Sequence, residues 1–146
     1  MAAARLMGPL ERMKEQGDDM YKIGMFEGAI AAYTTCIETG RSSGDTGPTV
    51  ISALNNRAAS HKQLSNFNGT IEDCTSVLEV EPENVKALVR RAQAFEALER
   101  YKLALQDAKF VISLGEDGAG MQNYKLCNQM QGRLQKVIDK LKSGDF

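Results

Sequence analysis

Tryptophan is absent from this chain of 146 residues, histidine occurs once and cysteine three times. The cysteines at 36, 74 and 127 are odd in number, far apart and without a C-x-x-C pair. That spacing suits reduced, mostly buried thiols in a reducing cytosol better than a disulfide framework or a zinc site. A cytoplasmic location is therefore expected. Long apolar runs are missing too, so no segment can span a bilayer as a helix. Residues 1–7 are too short and too weakly apolar for a secretory signal. Nor is there an excess of charge, since 18 Lys and Arg stand against 19 Asp and Glu, a formal net charge of −1. Bulk attraction to nucleic acid or membrane is excluded, and recognition is left to local patterning. What remains, 42% hydrophobic and 25% charged, is the make-up of one globular domain covering 1–146.

Alternating apolar residues, the mark of strands, are scarce; helical periodicity runs through most of the chain. The stretch 85–95, VKALVRRAQAF, follows a helix-start signal, Glu81-Pro82-Glu83-Asn84, and repeats its apolar residues at Leu88, Ala92 and Phe95. Windows beginning at Leu10, Ile51 and Val85 share one pattern. Their fourth positions are Met13, Leu54 and Leu88, and their eighth are the small residues Gly17, Ala58 and Ala92. Their seventeenth are aromatic, Phe26, Phe67 and Tyr101, and their twentieth are Ala29, Thr70 and Ala104. The step from 51 to 85 is 34 residues; the step from 10 to 51 is 41, seven more.

A 34-residue helix–turn–helix unit, with small residues at offsets 8 and 20 and Pro82 at offset 32, resembles the tetratricopeptide repeat. Small residues let the two helices of a hairpin approach closely. A single hairpin cannot bury its apolar face, so the resemblance implies three stacked in a right-handed solenoid. The expected fold is all-α, with repeats at about 10–40, 51–84 and 85–118. The seven extra residues fall in 39–49, TGRSSGDTGPT, which reads as a mobile loop. It holds no GK[ST], so its glycines make no phosphate loop. Residues 115–120, GEDGAG, read as a break. The amphipathic stretch 121–142 reads as a helix capping the solenoid, and its far half is long enough for self-association. Seven helices and no sheet are expected.

No enzyme signature, metal cluster or nucleotide fingerprint is found, and no cofactor is expected. His61 stands at offset 11, where Met20 and Phe95 are its counterparts, so it reads as a packed helix residue. Cys36 and Cys74 read as core thiols. In a solenoid of this kind the first helix of each hairpin lines the inner groove. Its inward offsets carry Lys14 and Asp18, then Asn56 and Lys62, then Lys86, Arg90 and Gln93. Lys86 and Arg90, four apart, project from one helix face. This set resembles the carboxylate clamp of co-chaperones that bind the acidic C-terminal tails of Hsp90 and Hsp70. The clamp pattern is Lys-x-x-x-Asn, then Asn-Arg, then Lys-x-x-x-Arg. Lys14, Asn56-Arg57 and Lys86-x-x-x-Arg90 match it. The resemblance implies that Asn56 and Lys14 reach a terminal carboxylate and that Lys86 and Arg90 hold an acidic group. Asp18 departs from it, standing where the family has Asn. An ionised Asp only accepts hydrogen bonds and repels the ligand, or it pairs with Lys14 and so occupies a clamp cation. Within the family, VKALVRRAQAFEAL and the long first loop look most like the mitochondrial-import-related and myosin-directed chaperone adaptors. The alternative is a tetratricopeptide scaffold for another peptide or a folded partner, its clamp modified by Asp18.

Overall fold

The computed structural model describes residues 7–144. Among the described residues the chain forms eight helices and no strand. These are α1 (Pro9–Lys22), α2 (Phe26–Ser42), α3 (Pro48–Gln63), α4 (Phe67–Val80), α5 (Val85–Ala97), α6 (Tyr101–Ser113), α7 (Gly115–Ala119) and α8 (Met121–Ser143). They belong to two compact units whose boundary falls between Val77 and Leu78. None of the helices is long and apolar enough to cross a membrane.

The first unit holds the hairpin α1–α2, then α3 and α4 as far as Val77. Close approach within each hairpin rests on the small residues. Ala29, Ala58 and Thr70 are wholly buried, and the Thr70 hydroxyl donates to the Ala58 carbonyl at 3.2 Å, joining offset 20 to offset 8. At the equivalent point of α1 stands Gly17, where an added Cβ would lie 2.5 Å from the Tyr33 ring. Glycine is required there by the neighbouring helix. Proline opens α1 and α3, at Pro9 and Pro48, where the backbone N–H has no helical partner to lose.

All three hairpins turn in the same way. The N–H groups of Met25, Asn66 and Arg100 donate back to the carbonyls of Met20, His61 and Phe95 at 2.8–2.9 Å. One residue earlier the backbone is left-handed, at Gly24, Ser65 and Glu99. This is the six-residue closure that ends many helices. Only the first turn uses the residue type that announces it.

The expected loop over 39–49 is shorter than its composition implies. Helix α2 continues through Thr39, Gly40 and Arg41 to Ser42, and α3 starts at Pro48. Most of the insertion therefore lengthens helices, and the turn proper is 43–47. Asp45 closes it by accepting from the Gly47 N–H at 3.0 Å, while its own N–H donates to the Gly40 carbonyl at 2.7 Å. Gly40 stays helical because its bare Cα lies against α3, where a Cβ would stand 2.5 Å from Val50. Read from composition, glycine signals a loop; here it signals packing.

In the second unit, Asn84 caps α5 by accepting from the Ala87 N–H at 3.0 Å, as its sequence start signal implied. Ala87, Ala92, Ala94 and Ala104 are wholly buried, and Leu88 and Phe95 nearly so. The break at 115–120 is a single helical turn, α7, bounded by left-handed Gly115 and by Gly120 at φ +87°. Eight helices therefore stand where seven were expected. Helix α8 packs chiefly on α6 and buries Cys127, Met130, Leu134 and Ile138 along one stripe. Capping of the second unit is thus its structural role.

Candidate functional site

In the first unit, three of the sequence-selected residues meet. Lys14 and Asp18 lie one turn apart on α1, and the Lys14 ammonium donates to Asp18 Oδ2 at 2.8 Å. Asn56 reaches across from α3, its Nδ2 donating to Asp18 Oδ1 at 2.9 Å. The Tyr33 hydroxyl on α2 donates to the same oxygen at 2.5 Å. Gly17 lets that ring come in beside α1. Partial burial pushes the Asp18 carboxyl up, but the bonds from Lys14, Tyr33 and Asn56, with the Lys14 charge, outweigh it. The group is held below its ordinary value of 3.8. Burial, then the bond to Asp18, push the Tyr33 hydroxyl far up, so it remains a donor. Asp18 is therefore an ionised carboxylate bound by three donors from three helices.

Tyr33 was not among the sequence candidates. Its signal lies at offset 24, where the other windows carry the small residues Cys74 and Ala108. A buried phenol at that offset needs an acceptor, and Asp18 supplies it. Lys62 is half-buried in the last turn of α3.

Helix α5 of the second unit carries Lys86, Arg90 and Gln93 at spacings of four and three, which place them on one face. Lys86 is exposed, and Arg90 and Gln93 are half-buried. The adjacent Arg91 has different work. Its guanidinium forks onto Asp107 of α6 at 2.8 Å through both Nε and Nη2, and it lies 5.7 Å from the Phe95 ring centre. In the first unit Arg57 repeats this arrangement, forking onto Asp73 at 2.8 and 2.7 Å and donating to Thr34 at 3.1 Å. Arg57 and Arg91 are one 34-residue step apart, as are Asp73 and Asp107. That double recurrence was visible in the sequence. It marks struts between the helices of a hairpin rather than ligand contacts.

His61 is half-buried, as expected, but its neighbours are polar. Nε2 lies 3.8 Å from Asp73 Oδ2, and Nδ1 lies 3.2 Å from the Asn66 amide nitrogen. Cys36, Cys74 and Cys127 are buried and none is in a disulfide. Cys36 donates weakly to the Leu10 carbonyl. Burial pushes the Cys127 thiol up to about 11. No group of three potential metal ligands occurs among the described residues.

No family model matches the chain. It is 40% identical over 107 residues to sperm-associated antigen 1A of Danio rerio, covering 73% of this chain and 25% of that protein. The chain thus spans a quarter of that relative's length. A solved tetratricopeptide-repeat domain of Arabidopsis OM64 superposes with a TM-score of 0.72 at 30% identity, over 88% of this chain and 95% of that one. The Hsp90 co-chaperone Cns1 of Saccharomyces cerevisiae gives 0.74 at 26%, over 95% of this chain and 43% of that one. The first such domain of Spaghetti (RPAP3), solved with the Hsp90 peptide SRMEEVD, shares the fold with a TM-score of 0.74 at 23%, over 89% and 93%. Helical hairpins with one recurring turn, small residues at their crossing points and a 30% identical domain matched almost end to end place the chain in the tetratricopeptide-repeat family.

Proposed function

We propose that this chain is a non-catalytic, cytoplasmic adaptor that binds the acidic C-terminal tail of Hsp90 or Hsp70. The observation that carries the reading is the cation pair Lys86 and Arg90 on one face of α5. Like charges one turn apart repel, and acidic groups of a ligand relieve that repulsion. Support comes from the 26% identical Hsp90 co-chaperone. In this reading Lys86 and Arg90 hold acidic groups of the tail, with Gln93 beside them on the same face of α5. The three buried thiols suit a reducing compartment.

Calorimetric titration with free-acid SRMEEVD tests it. Lys86→Ala and Arg90→Ala should each weaken binding by about tenfold, the worth of one charge-assisted hydrogen bond. For Lys86→Ala, at an exposed position, folding stability should change by no more than about 0.5 kcal/mol. If both variants bind as the wild type does, the assignment fails. A second reading, a scaffold for another peptide or a folded partner, is favoured by the hold of Asp18 on Lys14 and Asn56. It gains if no acidic tail binds the wild type.

A further inference from the structure

We propose that Asp18 is a built-in carboxylate that fills the anion-binding point of the first unit, so that an acidic tail is recognised without its terminal carboxylate. The inference rests on the adaptor reading and specifies which end of the ligand is read.

The two groups that the clamp resemblance gives to a terminal carboxylate in the first unit, Lys14 and Asn56, are already bound to one, and the buried Tyr33 hydroxyl adds a third bond. Lys14, Tyr33 and Asn56 come from α1, α2 and α3 and converge on the two Asp18 oxygens at 2.8, 2.5 and 2.9 Å. A ligand carboxylate could enter only by displacing Asp18 or by lying beside it. Displacement strips three hydrogen bonds from an ionised group that stays where it is, a loss that the incoming bonds at best equal. Asp18 also has no association entropy to overcome, whereas a peptide end must be immobilised. Lying alongside sets two like charges a few ångströms apart around a single ammonium.

The surroundings lean the same way. The cavity at this point, about 690 Å³, is lined by Glu11, Glu15, Asp18 and Asp19 against Lys14 and Lys22. Four carboxylates face two ammoniums, and one of those ammoniums is held by Asp18. This cavity therefore offers a terminal carboxylate no net attraction. In the adaptor reading the acidic side chains of the tail are held by Lys86 and Arg90 of α5, with no contribution from this point. Asp18 is thus a specificity-determining residue that separates affinity for acidic side chains from affinity for a chain end.

The test compares two forms of one probe, SRMEEVD as the free acid and as the C-terminal amide, titrated into the full chain and into Asp18→Asn. The wild type should bind the two forms within about twofold of one another. Asp18→Asn returns a donor, frees Lys14 and removes one negative charge at nearly unchanged volume. It should bind the free acid about tenfold more tightly than the amide, the scale of one charge-assisted hydrogen bond. Strong preference of the wild type for the free acid overturns the inference and leaves the adaptor reading standing. Binding of neither form by the wild type, with the free acid captured by Asp18→Asn, shows that Asp18 blocks the point but overturns recognition of the tail by the native chain, and with it the adaptor reading. Failure of both proteins to bind either form overturns both. Should Asp18→Asn not fold, the wild-type comparison of acid and amide decides alone.

Discussion

His61 is the only histidine in the chain, so no other side chain has its ordinary titration between about pH 5 and 8. Burial lowers its proton affinity below the ordinary imidazole value of 6.5; Asp73 and Glu72 pull it up, Arg57 pushes it down, and burial prevails. Asp73 cannot serve the imidazolium fully because both its oxygens are engaged by Arg57. The unfolded chain therefore binds this proton more readily than the folded one, and stability rises with pH across the interval between the two values. The contribution is complete above about pH 6.5 and is lost as pH falls through the folded value. Urea midpoints should thus drop between pH 7.5 and 5.5 in the wild type. In His61→Met, which installs the residue found at the same offset of the first repeat, the drop should be smaller. Equal drops in the two proteins would mean that another group titrates there. Asp18, held below 3.8, acts only in stronger acid.

At the scale of the helix, two glycines of similar setting have opposite expectations. Replacing a mid-helix glycine by alanine gains about 1 kcal/mol from helix propensity alone. Gly132 in α8 has no atom within 4 Å of an added Cβ, so Gly132→Ala should gain close to that amount. At Gly17 in α1 the same methyl would stand 2.5 Å from a Tyr33 ring carbon. That ring is fully buried and tied through its hydroxyl to Asp18, so it cannot swing away. Overpacking of this kind costs about 1–3 kcal/mol, which exceeds the propensity gain. Gly17→Ala should be the less stable protein and Gly132→Ala the more stable one in urea denaturation followed by circular dichroism. A stabilised Gly17→Ala would show that α1 and α2 are not as close as described.

Over the whole molecule, the buried thiols report on how the chain opens. Cys36 and Cys74 lie in the first unit and Cys127 in the second, all wholly buried. A short maleimide pulse on the native protein should leave all three unmodified. At rising urea concentrations, followed by mass spectrometry of the peptides, Cys36 and Cys74 should become reactive together. Cys127 should follow its own curve if each unit opens as a cooperative body. Rapid labelling of any of the three without urea would contradict its burial.

The sequence by itself determined the helices, their 34-residue recurrence, the crossing residues Ala29, Ala58, Thr70, Ala92 and Ala104, and the cap on α5. These are set by neighbours a few residues apart, and repetition lets one window check another. It also allowed the Lys14–Asp18 pair, a contact across one helical turn. The remaining partners of Asp18 are 15 and 38 residues away, Tyr33 and Asn56, and no local pattern announces them. Glycine misled twice for the same reason. At Gly40 and in 115–120 its meaning depends on what stands opposite its missing side chain, or on the turn it must close, and both are set by packing. Tertiary structure alone decided that a residue differing from the family's by an oxygen in place of an amide nitrogen would gather the donors around itself. A carboxylate draws any donor within reach, and only the folded hairpins put those donors within reach.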